Sequence, residues 1–200
     1  MCRRGKYQLV LNVTDPEDEY YNRRSIGQMS TEITVPDDKT AAVNTPHDIG
    51  AVSLAIKPRL RVGKTVPSFE GKMSDGKVVK LSELRGKPVL LHFWGMSMGY
   101  NTTEFQVLKE LQNNYGTSGQ LVILGCNLDG QGYNPEQFAK SQGMTWRQIY
   151  LGQRDQTPVP GMFGLNGNSG CVLIDAQGRL ASGILRSTNI RTTVMDALNE

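Results

Sequence analysis

Three cysteines and two histidines are the only thiols and imidazoles in the chain: Cys2, Cys126, Cys171, His47 and His92. Their spacing excludes several chemistries. There is no Cys-x-x-Cys pair, and no His/Cys cluster with zinc-ligand spacing. An odd, sparse set of cysteines is not a disulfide framework. No metal and no cofactor is therefore expected. The one place that looks like a catalytic platform is HFWGMSMGYNTTEF, residues 92–105, where an apolar strand runs through a short loop into a helical pattern. α/β enzymes often hold a nucleophile at such a junction. Here the loop offers Met96, Ser97, Met98, Gly99, Tyr100 and Asn101, with no evident nucleophile.

The elements that position this loop follow from periodicity. PVLLHFW and LVILGCNLD are continuous apolar runs, expected for strands buried on both faces. Between them, NTTEFQVLKELQNNYG repeats apolar residues at Phe105, Leu108, Leu111 and Tyr115, and Gly116 offers a stop. NPEQFAKSQ begins a second helix, with Asn134 as N-cap, Pro135 in the first turn and Glu136 beside it. TWRQIYL reads as a short strand. CVLID, the turn DAQG and RLASGIL read as an antiparallel hairpin. TNIRTTVMDALN closes the chain as a helix, with Ile190, Val194 and Leu198 four apart. The order β-α-β-α-β-β-α implies parallel strands joined by helical crossovers, with a hairpin at the edge: an α/β fold with a mixed sheet flanked by helices. Ahead of it, SDGK turns a hairpin into KVVKLSEL.

Residues 1–58 follow a different pattern. YQLVLNV, STEITV and DIGAVSLAI read as strands, with DPEDEYYN and VPDDKTAAVNTPHD as polar connections, and no helical period. Three strands cannot bury both faces of a sheet alone. The segment is expected to be the tail of a β-sandwich or an extension on the second unit, residues 59–200. Its start, MCRRGKYQLVLNV, is basic but lacks an apolar core and cleavage site, so it is not a signal peptide. It reads as a chain cut from a longer protein, or as a mis-set start.

The 200 residues are 38% hydrophobic and 20% charged, enough for a packed core. The net charge is +3, and both signs are interspersed without a basic, aromatic-interleaved run, so nucleic acid is not an indicated partner. No stretch approaches the roughly 20 apolar residues of a membrane span.

With its motifs, residues 59–200 resemble the thioredoxin superfamily, in particular the TlpA/ResA-like redoxin (AhpC/TSA-like) branch of thiol–disulfide oxidoreductases and their peroxiredoxin cousins. VGKTVPSFEGKMSDGKVVKLSELRGKPVLLHFW is similar to that branch's entry, with Pro67 and Phe69 in its Pro-x-Phe and Leu81, Leu84, Arg85, Gly86 and Lys87 in its "L..LrGK". FGLNGNSGCVLIDAQGRL is similar to its "ygv.g.PttflID..G.i". DIGAVSLAI is weakly similar to the closing strand of carboxypeptidase-regulatory-like sandwiches. The resemblance implies a thioredoxin-like three-layer fold and an extracytoplasmic setting.

The same resemblance implies a degenerate active site. The family signature F-W-A-x-W-C-x-x-C falls on Phe93 to Asn101, with Met98 at the first cysteine, Gly99 and Tyr100 between, and Asn101 at the second. Disulfide exchange needs a thiolate. A thioether has no proton to lose, and a carboxamide cannot resolve a mixed disulfide. His92 takes the buried-acid position, as a core residue or a repurposed acid–base group. Ser169 takes the cis-proline position, where a non-proline cis bond would cost about 2.5–4 kcal/mol, so a trans bond is expected. Glu104 matches a family carboxylate, although the helix dipole alone explains an acid there. Cys126 reads as a buried thiol. Cys171 is either buried or a substitute nucleophile near the loop. Two readings follow: a redox-inactive domain that acts in scaffolding or binds a protein or peptide at Met96–Asn101 through a soft patch of Met96, Met98, Tyr100 and Trp94, or a thiol–disulfide oxidoreductase or peroxiredoxin-like antioxidant protein using a non-standard cysteine. A structural spacer without a ligand is a third.

Overall fold

The computed structural model describes residues 5–14, 25–35, 59–98, 102–165 and 169–199. The chain divides into two compact units, Met1–Pro58 and Arg59–Glu200. In the first unit, β1 (Gly5–Thr14) pairs antiparallel with β2 (Ser25–Val35), in register from Gly5 opposite Val35 to Thr14 opposite Ser25, with a bulge at Val13/Thr14. The third expected strand, DIGAVSLAI, lies outside the described residues.

The second unit is built on a six-stranded mixed sheet in the order β4-β3-β7-β6-β5-β8. Its strands are β3 (Glu70–Lys72), β4 (Val78–Lys80), β5 (Val89–Trp94), β6 (Val122–Asn127), β7 (Arg147–Tyr150) and β8 (Gly170–Ile174). β5, β6 and β7 run parallel, and β8 is antiparallel to β5. Helices α1 (Thr102–Leu111) and α2 (Pro135–Ser141) make the crossovers, a short α3 (Val159–Met162) follows β7, and α4 (Ser187–Leu198) ends the unit.

All six residues of β5 are buried. Alternation splits them between two apolar layers. Leu91 and Phe93 join Leu124, Ile149, Phe163 and Val172 on one face. Leu90 and Trp94 join Phe105 and Leu108 of α1 and Ile190 and Val194 of α4 on the other. Each fully buried side chain of this kind contributes about 1.5–3 kcal/mol of transfer free energy. The α1 face is the one read from the sequence, and after Leu111 the helix widens into a π-helical turn, Gln112–Gly116. Asn134 caps α2 as expected, its side chain accepting from the Gln137 N–H.

Two elements differ from expectation. The RLASGIL return forms isolated bridges to β8 at Leu180 and Leu185 instead of a continuous strand. The cause is Ser182. Its hydroxyl accepts the Leu173 N–H at 2.9 Å and donates to the Gly183 carbonyl, so a side chain takes the place of a backbone carbonyl in the ladder. α3 has no counterpart in the sequence reading. Pro158 stands at its N-cap and Pro160 in its first turn, where no N–H is needed.

Candidate functional site

The carboxyl end of β5 carries the loop, and the residues beneath it form a row across four strands. Cys171 of β8 lies opposite His92 of β5, His92 lies beside Gly125 of β6, and Gly125 beside Gln148 of β7. Neighbours in register share a face, so all four point toward α1. Gly125 leaves room for its neighbour: a Cβ there would stand 1.9 Å from Gln148 Oε1 and displace the amide. The Gln148 amide leans over the glycine, accepts the Trp94 Nε1–H at 3.0 Å and donates to the Trp146 carbonyl at 3.2 Å.

His92 is 0% exposed and packed against aromatic rings. Trp94 stacks at a centroid distance of 6.5 Å, and Phe105 and Trp146 present edges at 5.6 and 6.1 Å. Neither ring nitrogen makes a hydrogen bond among the described residues. The nearest carboxylate oxygen is Glu104 Oε1, 3.4 Å from Nε2. Glu104 enters from the first turn of α1 and is 1% exposed. A helix dipole explains an acid at that position, but the burial against His92 is an additional feature that sequence position did not reveal.

Cys171 is 0% exposed. Burial pushes its thiol well above the ordinary range, and the Glu104 carboxylate pushes the same way, against the opposing pull of Arg186. Burial alone raises the Cys126 thiol. Both described thiols are free, and both are held protonated. Cys2 lies outside the described residues.

The loop itself begins with a 3₁₀ turn, Met96–Met98. It is tied down by Asp129, two residues past β6 and 7% exposed. The Asp129 carboxylate accepts from the Met96 N–H at 2.9 Å, the Ser97 N–H at 3.3 Å, the Ser97 hydroxyl at 3.4 Å and Asn127 Nδ2 at 2.8 Å. Gly95, where the family pattern has alanine, allows this approach: a Cβ would be 3.0 Å from Asp129 Oδ1 and 3.1 Å from Met98 Sδ. Asp129 was not singled out in the sequence. The available signal was an acid placed just after a buried strand, in Asn127-Leu128-Asp129.

Of the loop positions singled out in the sequence, Met96 and Met98 are half-buried, while Gly99, Tyr100 and Asn101 lie outside the described residues. The two methionines pack on opposite apolar layers, and Trp94 is 2% exposed, so Trp94 belongs to the core and not to a surface patch with them. Ser169 is half-buried just ahead of β8. The described residues contain no cis peptide bond, and the bond into Ser169 begins at Asn168, outside them. Among the described residues no group of His, Cys, Asp and Glu could hold a metal ion, and no helix is long and apolar enough to cross a membrane.

With the sheet order and the strand–loop–helix platform in place, the comparisons with known proteins define the class. Residues 62–181 match the model of the AhpC/TSA family, and the chain belongs to that family. Within it, the chain is a TlpA/ResA-like redoxin domain. It is 32% identical over 124 residues to the thiol-disulfide oxidoreductase ResA of Geobacillus thermodenitrificans, covering 62% of this chain and 69% of that one. It is 27% identical over 132 residues to ResA of Bacillus anthracis, covering 66% and 73%. The thioredoxin domain of a thiol-disulfide oxidoreductase from Bacteroides vulgatus superposes with a TM-score of 0.63 at 24% identity, covering 70% of this chain and 99% of that one. A thiol:disulfide interchange protein from Bacteroides sp. gives 0.62 at 23%, covering 70% and 92%. These structures fix the thioredoxin-like fold.

Proposed function

We propose that this protein, which also carries an N-terminal β-rich segment, has a redoxin-family domain that performs no dithiol exchange at its motif loop and works by binding a protein or peptide there. The observation that carries this reading is the placement of sulfur. The motif positions hold Met98 and Asn101, and the two described thiols, Cys126 and Cys171, are both 0% exposed. A nucleophile must be a thiolate in reach of its partner; burial opposes both for Cys171. Asp129 supports the binding role, since it holds the loop in a defined shape without reference to a thiolate.

The relatives' names favour a second reading, a thiol-disulfide oxidoreductase using Cys171. That requires β8 and α1 to separate enough to expose it. An insulin-reduction assay of wild type, Cys2→Ser and Cys171→Ser separates the two. Background turnover in all three is expected. Turnover lost in Cys171→Ser would establish the second reading. Met98→Cys/Asn101→Cys, which restores the two thiols, is expected to raise turnover above background. For the binding role, Met98→Ala/Tyr100→Ala is expected to abolish partner capture that the wild type shows; equal capture would remove the loop from the function.

A further inference from the structure

On the β6–β7 side of the loop, the surface opens into a cleft of about 730 Å3. It lies at the carboxyl ends of the parallel strands, the place where open α/β sheets take ligands. Its polar wall is supplied by Ser97 of the loop, Gln131 and Tyr133 after β6, and Gln153, Arg154 and Gln156 after β7. Ser169, at the family's cis-proline position, precedes β8 on the other side of β5 and is not part of this wall.

The chemistry of the wall is specific. Three carboxamides, a hydroxyl and a phenol supply both donors and acceptors. Gly130 lets one of them reach inward: a Cβ there would stand 3.0 Å from Gln153 Oε1, so the Gln153 amide lies against the backbone that follows β6. Tyr133 is 47% exposed at the rim. Arg154 is the one charged residue among the described lining residues, is exposed, and forms no ion pair with a described carboxylate. Asp129, nearby, is engaged by Met96, Ser97 and Asn127 and does not serve as its partner. The described lining residues carry no carboxylate to suit a cation, and a single guanidinium is a poor match for a polyphosphate. Carboxamides that both donate and accept, spread along an open cleft, match the alternating N–H and C=O groups of an extended backbone, and a guanidinium fork matches one carboxylate.

We propose that this cleft binds an extended peptide segment of a partner protein, with one peptide carboxylate paired to Arg154. The inference rests on the reading of the loop as a binding surface and names what that surface recognises. It places the bound segment on the β6–β7 side of β5, away from Ser169.

The test is an amide-detected NMR titration of the full chain with three acetylated hexapeptides of glycine and serine: one with an internal glutamate and an amidated end, one with glutamine in its place, and one with a free carboxyl end. Saturable shifts are expected at Gln131, Tyr133, Gln153, Arg154 and Gln156 with the first or third peptide, and the stronger of those two identifies a side-chain or a terminal carboxylate. Arg154→Ala, an exposed change, should weaken binding about tenfold, with Arg154→Lys between. Equal binding of the glutamine peptide, shifts confined to Ser169 and β8, or no saturable shift would overturn the proposal. Insulin turnover by the wild type would instead remove the parent reading. Partner capture that needs Met98 but is indifferent to Arg154 would leave the parent reading standing and the cleft assignment refuted.

Discussion

Asp129 and His92 are both buried at the carboxyl end of the central sheet, one just past β6 and one within β5, yet they are accommodated in opposite ways. Asp129 has donors aimed at both oxygens, from two backbone amides of the loop, a hydroxyl and a carboxamide. His92 has three aromatic rings around it, no hydrogen bond to a described residue, and one carboxylate at 3.4 Å. The difference separates two kinds of buried polar group. Asp129 determines the path of the chain, because the Met96 and Ser97 amides have no other acceptor among the described residues. His92 fills a position in an apolar layer, and the fold tolerates its nitrogens without being organised by them.

Substitution should separate the two. Asp129→Ala removes the acceptor of the half-buried Met96 amide and of the buried Asn127 carboxamide and should cost about 3 kcal/mol, read from urea unfolding. A loss under about 1 kcal/mol would erase the contrast.

The thiols test the region around His92 through pH. Cys126 and Cys171 are raised in the folded state, so the native protein keeps protons that the unfolded chain releases. The stability they contribute is complete below the unfolded thiol value, about 8.5, and is lost progressively as pH rises from there toward the folded values. By pH 10 the loss should reach up to about 2 kcal/mol per thiol, and Cys171→Ala should flatten the fall between pH 8 and 10 relative to wild type. An unchanged slope would mean that Cys171 is not buried in solution.

Gly125→Ala addresses the same row more locally. The new methyl displaces the Gln148 amide and breaks its bond to Trp94, at a cost of about 1–2 kcal/mol, with a changed Trp94 emission. The smallest effect is expected for His92→Phe. Replacing an unsatisfied ring by an apolar one of similar shape should shift stability by less than about 1 kcal/mol in either direction. A loss as large as that of Asp129→Ala would give His92 an organising role and collapse the comparison.

The legible parts of this molecule are those that repeat. Continuous apolar runs located β5 and β6, and spacings of three and four located α1 and α4, because burial imposes a period on one chain segment at a time. The strand–loop–helix platform was legible for the same reason, and the family resemblance supplied its motif. What escaped depends on polar atoms meeting across segments. Asp129 reaches the loop from 32 and 33 residues away along the chain. Gln148 occupies the space above Gly125 only because β6 and β7 pair in that register. The cleft joins side chains from three separate connections. Hydropathy reports which way a residue faces and carries no information about which donor meets which acceptor. The return after β8 pairs antiparallel as read, but its continuity was not legible for a related reason: one serine hydroxyl competes successfully for a ladder amide.

The half-buried methionines of the 3₁₀ turn have one mechanical consequence. Met96 is seated among the side chains beneath α1, and Met98, two residues on, is seated among those on the reverse side of the sheet. The segment therefore spans the sheet margin like a dowel, and lifting it unseats a thioether on each side together. A ligand that displaces this turn is felt on both faces of the sheet, whichever side it touches first.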